Sequence, residues 1–259
     1  MKFWKTPLLA AGLAFAATHA SAEILFQDTF DRANSTDLNA SDVGQSGSLS
    51  PLDWAEGVAI SGSVTINSNQ LKINQSGTPN SNGDGGGYAY VDNNFIGLTQ
   101  LKVTMDITQQ TSGGNGRFVG FALGQTEADI TGLTSVEPGD NNADLSVYLD
   151  NVGGSTGIVV VEDTNTTFAG SGLGELSAVL SFADQNAGTT VNYEVFFQGS
   201  SVTTGDFTWS GTNQNFIYFS SNSTGDTLIN TITIENVPEP GSLALLGLGG
   251  LCMLKRRRP

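Results

Sequence analysis

The chain has 259 residues, with ten Lys or Arg, 25 Asp or Glu and a single histidine, for a formal charge of −15. The histidine is His19 and the only cysteine is Cys252, so the 214 residues from Glu23 to Asn236 contain neither type. That stretch therefore has no disulfide, no Ser-His-Asp triad, no cysteine nucleophile, and no imidazole or thiolate ligand for zinc, copper or iron. It holds 24 acidic and four basic residues, a balance of −20, which repels nucleic acid and anionic lipid. An anionic polysaccharide could be held only through a bridging cation. Calcium, bound by hard oxygen ligands, is the metal this composition favours, and carboxylate-only catalysis is the chemistry it leaves open. A stretch of this size suits one all-β domain with a substantial core.

At the start of the chain, Lys2 and Lys5 precede an apolar stretch from Leu8 to Ala17, followed by Ala20-Ser21-Ala22. This order reads as a secretory signal over residues 1–22, cut by signal peptidase between Ala22 and Glu23. From Glu23 on, no long segment has a 3.6-residue apolar period. Short runs alternating at period two recur instead, separated by clusters of Gly, Asn, Ser and Asp. Val64 and Ile66, the turn Asn67-Ser68-Asn69, then Leu71 and Ile73 predict a hairpin. Further strands are expected at Leu101 to Ile107, Leu145 to Leu149 and Val191 to Phe197, and a last one carries Leu228, Ile232 and Ile234. Ile158 to Val161 is apolar without interruption and reads as a strand buried on both faces. The rhythm predicts about a dozen strands in a two-sheet antiparallel sandwich spanning residues 23–236.

Phe26-Gln27-Asp28-Thr29-Phe30-Asp31-Arg32-Ala33-Asn34 resembles the Asp-x-Phe-x-Arg-Ala opening strand of bacterial concanavalin A-like, laminin-G-like jelly rolls. Asp226 to Asn230 and Ile234 to Asn236 are similar to their closing strand. The resemblance implies a jelly-roll sandwich whose first and last strands pair. It also implies a structural calcium held by Asp28 and Asp226. Two other oxygen-rich loops are weaker calcium candidates: Asn80 to Gly85, which lacks the bidentate glutamate of an EF-hand, and Asp140 to Asp144, which also reads as a turn before the strand at Leu145. Among the aromatics, Tyr88, Tyr90, Tyr148 and Tyr218 fall on strands and read mostly as packing. Trp54 and Trp209 fall in loop-like contexts, and Trp209 is the ligand-binding candidate. Glycoside hydrolases of this sandwich carry alternating carboxylates in a Glu-x-Asp-x-x-Glu run. None occurs here, and Glu162-Asp163 and Glu194 stand apart. No catalytic residue is assigned.

The final segment has three parts: Val237-Pro238-Glu239-Pro240, an apolar run from Leu243 to Leu254, and Lys255-Arg256-Arg257-Arg258 before Pro259. The prolines hold the first part out of helical geometry. The apolar run reads as a short membrane helix whose cations remain cytoplasmic. This order resembles the PEP-CTERM sorting signal of exported proteins in Gram-negative bacteria. The resemblance implies that an exosortase recognises Val237 to Pro240 and removes the apolar run and its cations. It also implies a final place at the cell surface or in an extracellular polysaccharide matrix. Together these features predict a structural or glycan-associated protein and not an enzyme. A carbohydrate-binding module is the first alternative, and a polysaccharide-degrading enzyme of the same fold the second.

Overall fold

Alternating apolar and polar residues form strands because successive side chains leave opposite faces of a pleated chain. Sixteen strands occur among the described residues. They are β1 (Glu23–Asp28), β2 (Gln45–Ser46), β3 (Trp54–Ala59), β4 (Ser63–Ile66), β5 (Leu71–Asn74), β6 (Gly86–Asp92), β7 (Gln100–Gln110) and β8 (Phe118–Gln125). A short helix, α1 (Glu127–Thr131), precedes β9 (Leu145–Asp150), β10 (Thr156–Val161), β11 (Thr164–Ala169) and β12 (Gly174–Phe182). The chain continues through β13 (Thr190–Phe197), β14 (Ser200–Thr208), β15 (Phe216–Ser221) and β16 (Asp226–Asn236). The computed structural model describes residues 22–59, 61–74, 85–92, 97–110, 118–132, 136–138, 142–150, 156–161, 164–169, 173–211, 216–222 and 225–237.

The strands form two antiparallel sheets. One has nine strands, ordered β14-β13-β12-β7-β16-β1-β2, with β5 also on β16 and β4 on β5. The other has seven, ordered β11-β10-β9-β8-β15-β6-β3. The chain crosses from one sheet to the other between β6 and β7, between β7 and β8, and again between β15 and β16. This shuttling makes the sandwich a jelly roll. The inner faces meet in one apolar core that includes Phe26, Phe121, Val147, Leu180, Phe219 and Ile234. Residues Ala22–Val237 form one compact unit.

The expected hairpin is β4–β5. Ser68 and Asn69 both take positive φ, 53° and 60°, and Asn67 and Gln70 exchange backbone hydrogen bonds of 2.9 and 3.2 Å. Two left-handed residues in a two-residue loop match the right-handed twist of the flanking strands. Strands at 101–107, 145–149 and 191–197 lie within β7, β9 and β13. In β10, Val159, Val160 and Val161 are all buried, so both faces of that strand are covered.

Strand β16 departs from the simple alternation. Thr227 and Ile229 face the core and Leu228 does not, because irregularities at Leu228/Ile229 and Ile229/Thr231 shift the register against β7. A bulge places an extra residue on one strand and reverses the facing of everything beyond it. Ile232 and Ile234 then face inward as expected. The first and last strands do pair: Glu23 lies opposite Asn236 and Asp28 opposite Ile232.

Candidate functional site

The Asp-x-Phe-x-Arg segment forms a buried polar node. Asp28 has no exposed surface. Its Oδ1 accepts from Phe30 N at 2.8 Å and from Arg32 Nη1 at 2.7 Å. Its Oδ2 accepts from Arg32 Nη2 and from Trp54 Nε1, both at 2.9 Å. Arg32 also donates to the carbonyls of Val43, at 3.0 Å, and Leu38, at 3.1 Å. Planar guanidinium and carboxylate groups fit each other in this two-pronged way, so one residue pair gathers the excursion between β1 and β3. Phe30 needs its positive φ of 53° to turn the chain back, and the bond to Asp28 holds it there.

This arrangement corrects the expected calcium pair. Asp28 pairs with Ile232, six residues along β16 from Asp226, which is roughly 20 Å at ~3.3 Å per residue. Both oxygens of Asp28 are occupied by donors, whereas a metal ligand needs free lone pairs directed at the ion. Asp226 is held by Lys72 Nζ at 2.9 Å and Asn74 Nδ2 at 3.0 Å, which keep its carboxyl below the usual range. Among the described residues no group of three His, Cys, Asp or Glu could hold a metal ion. Of the other calcium candidates, 80–84 and 140–141 lie outside the described residues. Asn142 donates to Asp129 Oδ1, and Asp144 Oδ2 accepts from Ser210 N and Oγ, both at 2.8 Å.

Trp209 is also not where its neighbours suggested. It lies just after β14, yet it is only 3% exposed and packs edge-on against Phe182 at 5.7 Å. Phe207, 6.3 Å away, completes the cluster. The ligand assignment is therefore corrected: Trp209 plugs one end of the core, which the polar residues around it conceal. Trp54 is likewise buried, starting β3 and touching Phe26, Phe30 and Phe219 at 5.8 to 5.9 Å. The Glu162-Asp163 pair lies outside the described residues.

The outer face of the seven-stranded sheet gathers aromatic and hydroxyl groups from four strands. Tyr88 and Tyr90 project from β6, Tyr218 and Phe216 from β15, Tyr148 from β9 and Phe118 from β8, and together they form a second apolar cluster. Ring centroids of Tyr88 and Tyr218 lie 5.5 Å apart, and those of Tyr90 and Phe216 the same distance. Glycines make room for them: a Cβ on Gly57 would come within 2.4 Å of the Tyr88 ring, and one on Gly120 within 2.3 Å of Val147 O.

Helix α1 and residues 136–138 pack over this face. Ile130 and Val136 join the cluster. Tyr218 donates to Val136 O at 3.0 Å, Tyr148 to Glu137 Oε1 at 2.7 Å and Tyr90 to Glu127 Oε1 at 3.4 Å. Burial pushes the hydroxyls of Tyr88, Tyr90 and Tyr218 above their ordinary value, and Glu127 adds to the effect at Tyr90. On the strands of this face Asp92 and Asp150 sit six residues apart in register, roughly 20 Å. Retaining glycosidases need a separation of ~5 Å.

Comparison with known families gives one match. Residues 236–258 match the PEP-CTERM protein-sorting motif. This chain carries an exosortase sorting signal. The motif marks an exported, exosortase-processed protein. It starts at the last residue of β16, and its portion after Val237 lies outside the described residues. That portion includes Pro238, Glu239, Pro240, the apolar run and the cations Lys255, Arg256, Arg257 and Arg258. Residues 1–21 also lie outside them. Among the described residues no helix is long and apolar enough to cross a membrane.

No curated protein matches the chain. Among solved structures, the sandwich is similar to the catalytic domain of an endo-1,3-beta-glucanase (laminarinase) from Thermotoga petrophila RKU-1. The identity is 8% over 85% of this chain and 99% of that one, with a TM-score of 0.47. A legume lectin-like domain from Entamoeba histolytica is similar at 7% identity, 71% and 90% coverage and a TM-score of 0.42. So is a carbohydrate esterase from Shiga toxin-encoding bacteriophage phi24B, at 14% identity, 84% and 100% coverage and a TM-score of 0.44. Two enzymes and a lectin-like domain stand side by side at these identities, so the likeness assigns no activity.

Proposed function

We propose that the chain is an exported, non-enzymatic jelly-roll protein, delivered to the cell surface or extracellular polysaccharide matrix by exosortase sorting. The sorting motif over residues 236–258 carries this reading. Signal peptidase cuts between Ala22 and Glu23, and the exosortase acts on Val237, Pro238, Glu239 and Pro240. Both cuts leave every described strand intact, because β1 begins at Glu23 and β16 ends at Asn236. Glu23 and Asn236, the strand residues next to the two cuts, are antiparallel partners. Lys255 to Arg258 act as the cytoplasmic stop that holds the precursor until it is processed. Deleting Val237 to Pro240 leaves the precursor in the membrane fraction. Undiminished release of the deleted form would reject the reading.

Glycan binding by the sandwich itself is a second reading, resting on the partly exposed Phe216 ring beside Tyr90 and Glu127 at the margin of the covered tyrosine cluster. Aromatic rings stack on sugar rings while hydroxyls and carboxylates take the sugar hydroxyls. A glycan array probed with the wild-type chain and a Tyr90→Ala variant tests it. Identical patterns from the two would remove it.

A further inference from the structure

The outer face of the nine-stranded sheet carries a continuous polar row. Cα pairing sets Phe196, Ser177, Thr104, Thr233, Gln27 and Ser46 side by side on six neighbouring strands. At ~4.8 Å between strands, the row runs roughly 24 Å across the sheet. One aromatic ring stands at one end, and hydroxyls and an amide make up the rest. Carboxylates flank it on both sides. Glu175 pairs with Asp106 along one edge, while Glu194 and Glu235 lie along the other.

One cation lies beside the row. Lys102 projects from the Glu194–Glu235 side, yet its Nζ is 3.6 Å from Glu175 Oε1 and 3.8 Å from Glu235 Oε2. Its pairing partner on β12 is Val179, four residues from Glu175. To reach Glu175 the lysine side chain must cross the row above Ser177 and Thr104. This crossing accounts for an otherwise odd fact: both residues are buried although they face outward. It also leaves Thr104 Oγ1 buried with no hydrogen-bond partner. The ammonium is therefore held between carboxylates over a hydroxyl floor, in half-exposed ion pairs of the weak kind.

We propose that this row and its flanking carboxylates bind a linear polymer of amino sugars bearing free ammonium groups, and that Lys102 occupies one of its ammonium positions. The charge balance supports the choice. All three described cations are already in ion pairs, Arg32 with Asp28, Lys72 with Asp226 and Lys102 with Glu175 and Glu235. Among the described residues, the other carboxylates of the face have no cation of the chain's own beside them. An anionic polymer is repelled here. A neutral one strips water from carboxylates and returns no charge. An ammonium-bearing sugar chain answers both, with its hydroxyls on the Ser/Thr/Gln row and a ring face on Phe196. When it binds, Lys102 yields Glu175 and stays with Glu235, which uncovers Thr104 Oγ1. The proposal does not rest on the sorting reading.

Titration calorimetry of the full chain in mild detergent, with glucosamine hexamer against N-acetylglucosamine hexamer, tests it. The ammonium-bearing hexamer binds, and its affinity falls by about tenfold or more between low and physiological salt. The acetylated hexamer does not bind. Asp106→Asn combined with Glu194→Gln weakens binding by about fivefold or more, whereas Lys102→Met tightens it. Asp42→Asn combined with Asp53→Asn, exposed carboxylates on the loops before β3, leaves it within about twofold. No binding, equal binding of both hexamers, or equal weakening by the two double variants would each overturn the proposal. The last result would mean that net charge alone attracts the polymer.

Discussion

Replacing Asp28 by Leu should destabilise the protein more than any other single change in β1 or in the loop after it. The substitution removes the acceptor of four hydrogen bonds: Phe30 N, both Arg32 Nη atoms and Trp54 Nε1. Arg32 then remains buried as an unpaired cation, and removing one partner of a buried pair costs about 3–5 kcal/mol. The stranded Trp54 and Phe30 donors add about 1–3 kcal/mol each. Against a total stability of about 5–15 kcal/mol, the variant sits near the edge of folding. Arg32→Met leaves Asp28 with two donors and costs less. The double variant Asp28→Leu/Arg32→Met should cost clearly less than the sum, because no orphan charge remains. Urea unfolding followed by tryptophan fluorescence measures all three, with Trp54 as the reporter inside the node. Additive effects, or a loss below ~1 kcal/mol for Asp28→Leu, would refute the node as a coupled unit.

Trp209→Ala should cost about 3–5 kcal/mol in a thermal or urea melt while leaving any glycan binding unchanged, since the ring fills core space. Gly120→Ala should cost about 1–3 kcal/mol, because the new methyl meets the Val147 carbonyl and the Tyr148 backbone at 2.3 to 2.5 Å. Burial raises the Glu56 carboxyl above its ordinary 4.5, so the folded state binds that proton more tightly than the unfolded one. The Glu56 contribution to stability therefore grows as pH falls from above the raised value towards 4.5, and Glu56→Gln should flatten that part of the curve. A six-residue Gly-Ser spacer between Asn236 and Val237 should speed exosortase processing. At present the motif starts at the end of a strand paired with β7 and β1 up to that residue. Unchanged processing kinetics would show that β16 does not obstruct the enzyme.

The strand rhythm was legible because half-buried strands write their burial at period two. Val64, Ile66, Leu71 and Ile73 announce a hairpin, and the polar residues between them can adopt the left-handed turn. Leu228, Ile232 and Ile234 do share the last strand, but the bulge that turns Leu228 off the core leaves no mark on the order of apolar residues. It shows only when the register with β7 is seen. The tryptophans misled for a related reason. Thr208, Ser210 and Gly211 beside Trp209 suggest an open loop, but its ring packs edge-on against Phe182 of β12, which is far away in sequence.

The Asp28 motif was visible as a pattern, and the pairing of β1 with β16 could be inferred from it. What the carboxylate does was not visible. A buried aspartate with two oxygens can meet a metal or a guanidinium, and Arg32 four residues later was the available clue. The polar row on the nine-stranded sheet had no linear signature at all. Its residues come from separate strands, and only cross-strand pairing sets them in a row.

Intact mass spectrometry of the protein recovered outside the cell tests the central claim most directly. Export and exosortase sorting leave a chain that begins at Glu23 and has lost the apolar run and Lys255 to Arg258, cut within or beside Val237 to Pro240. A recovered chain that still carries Arg258 and Pro259 would contradict it.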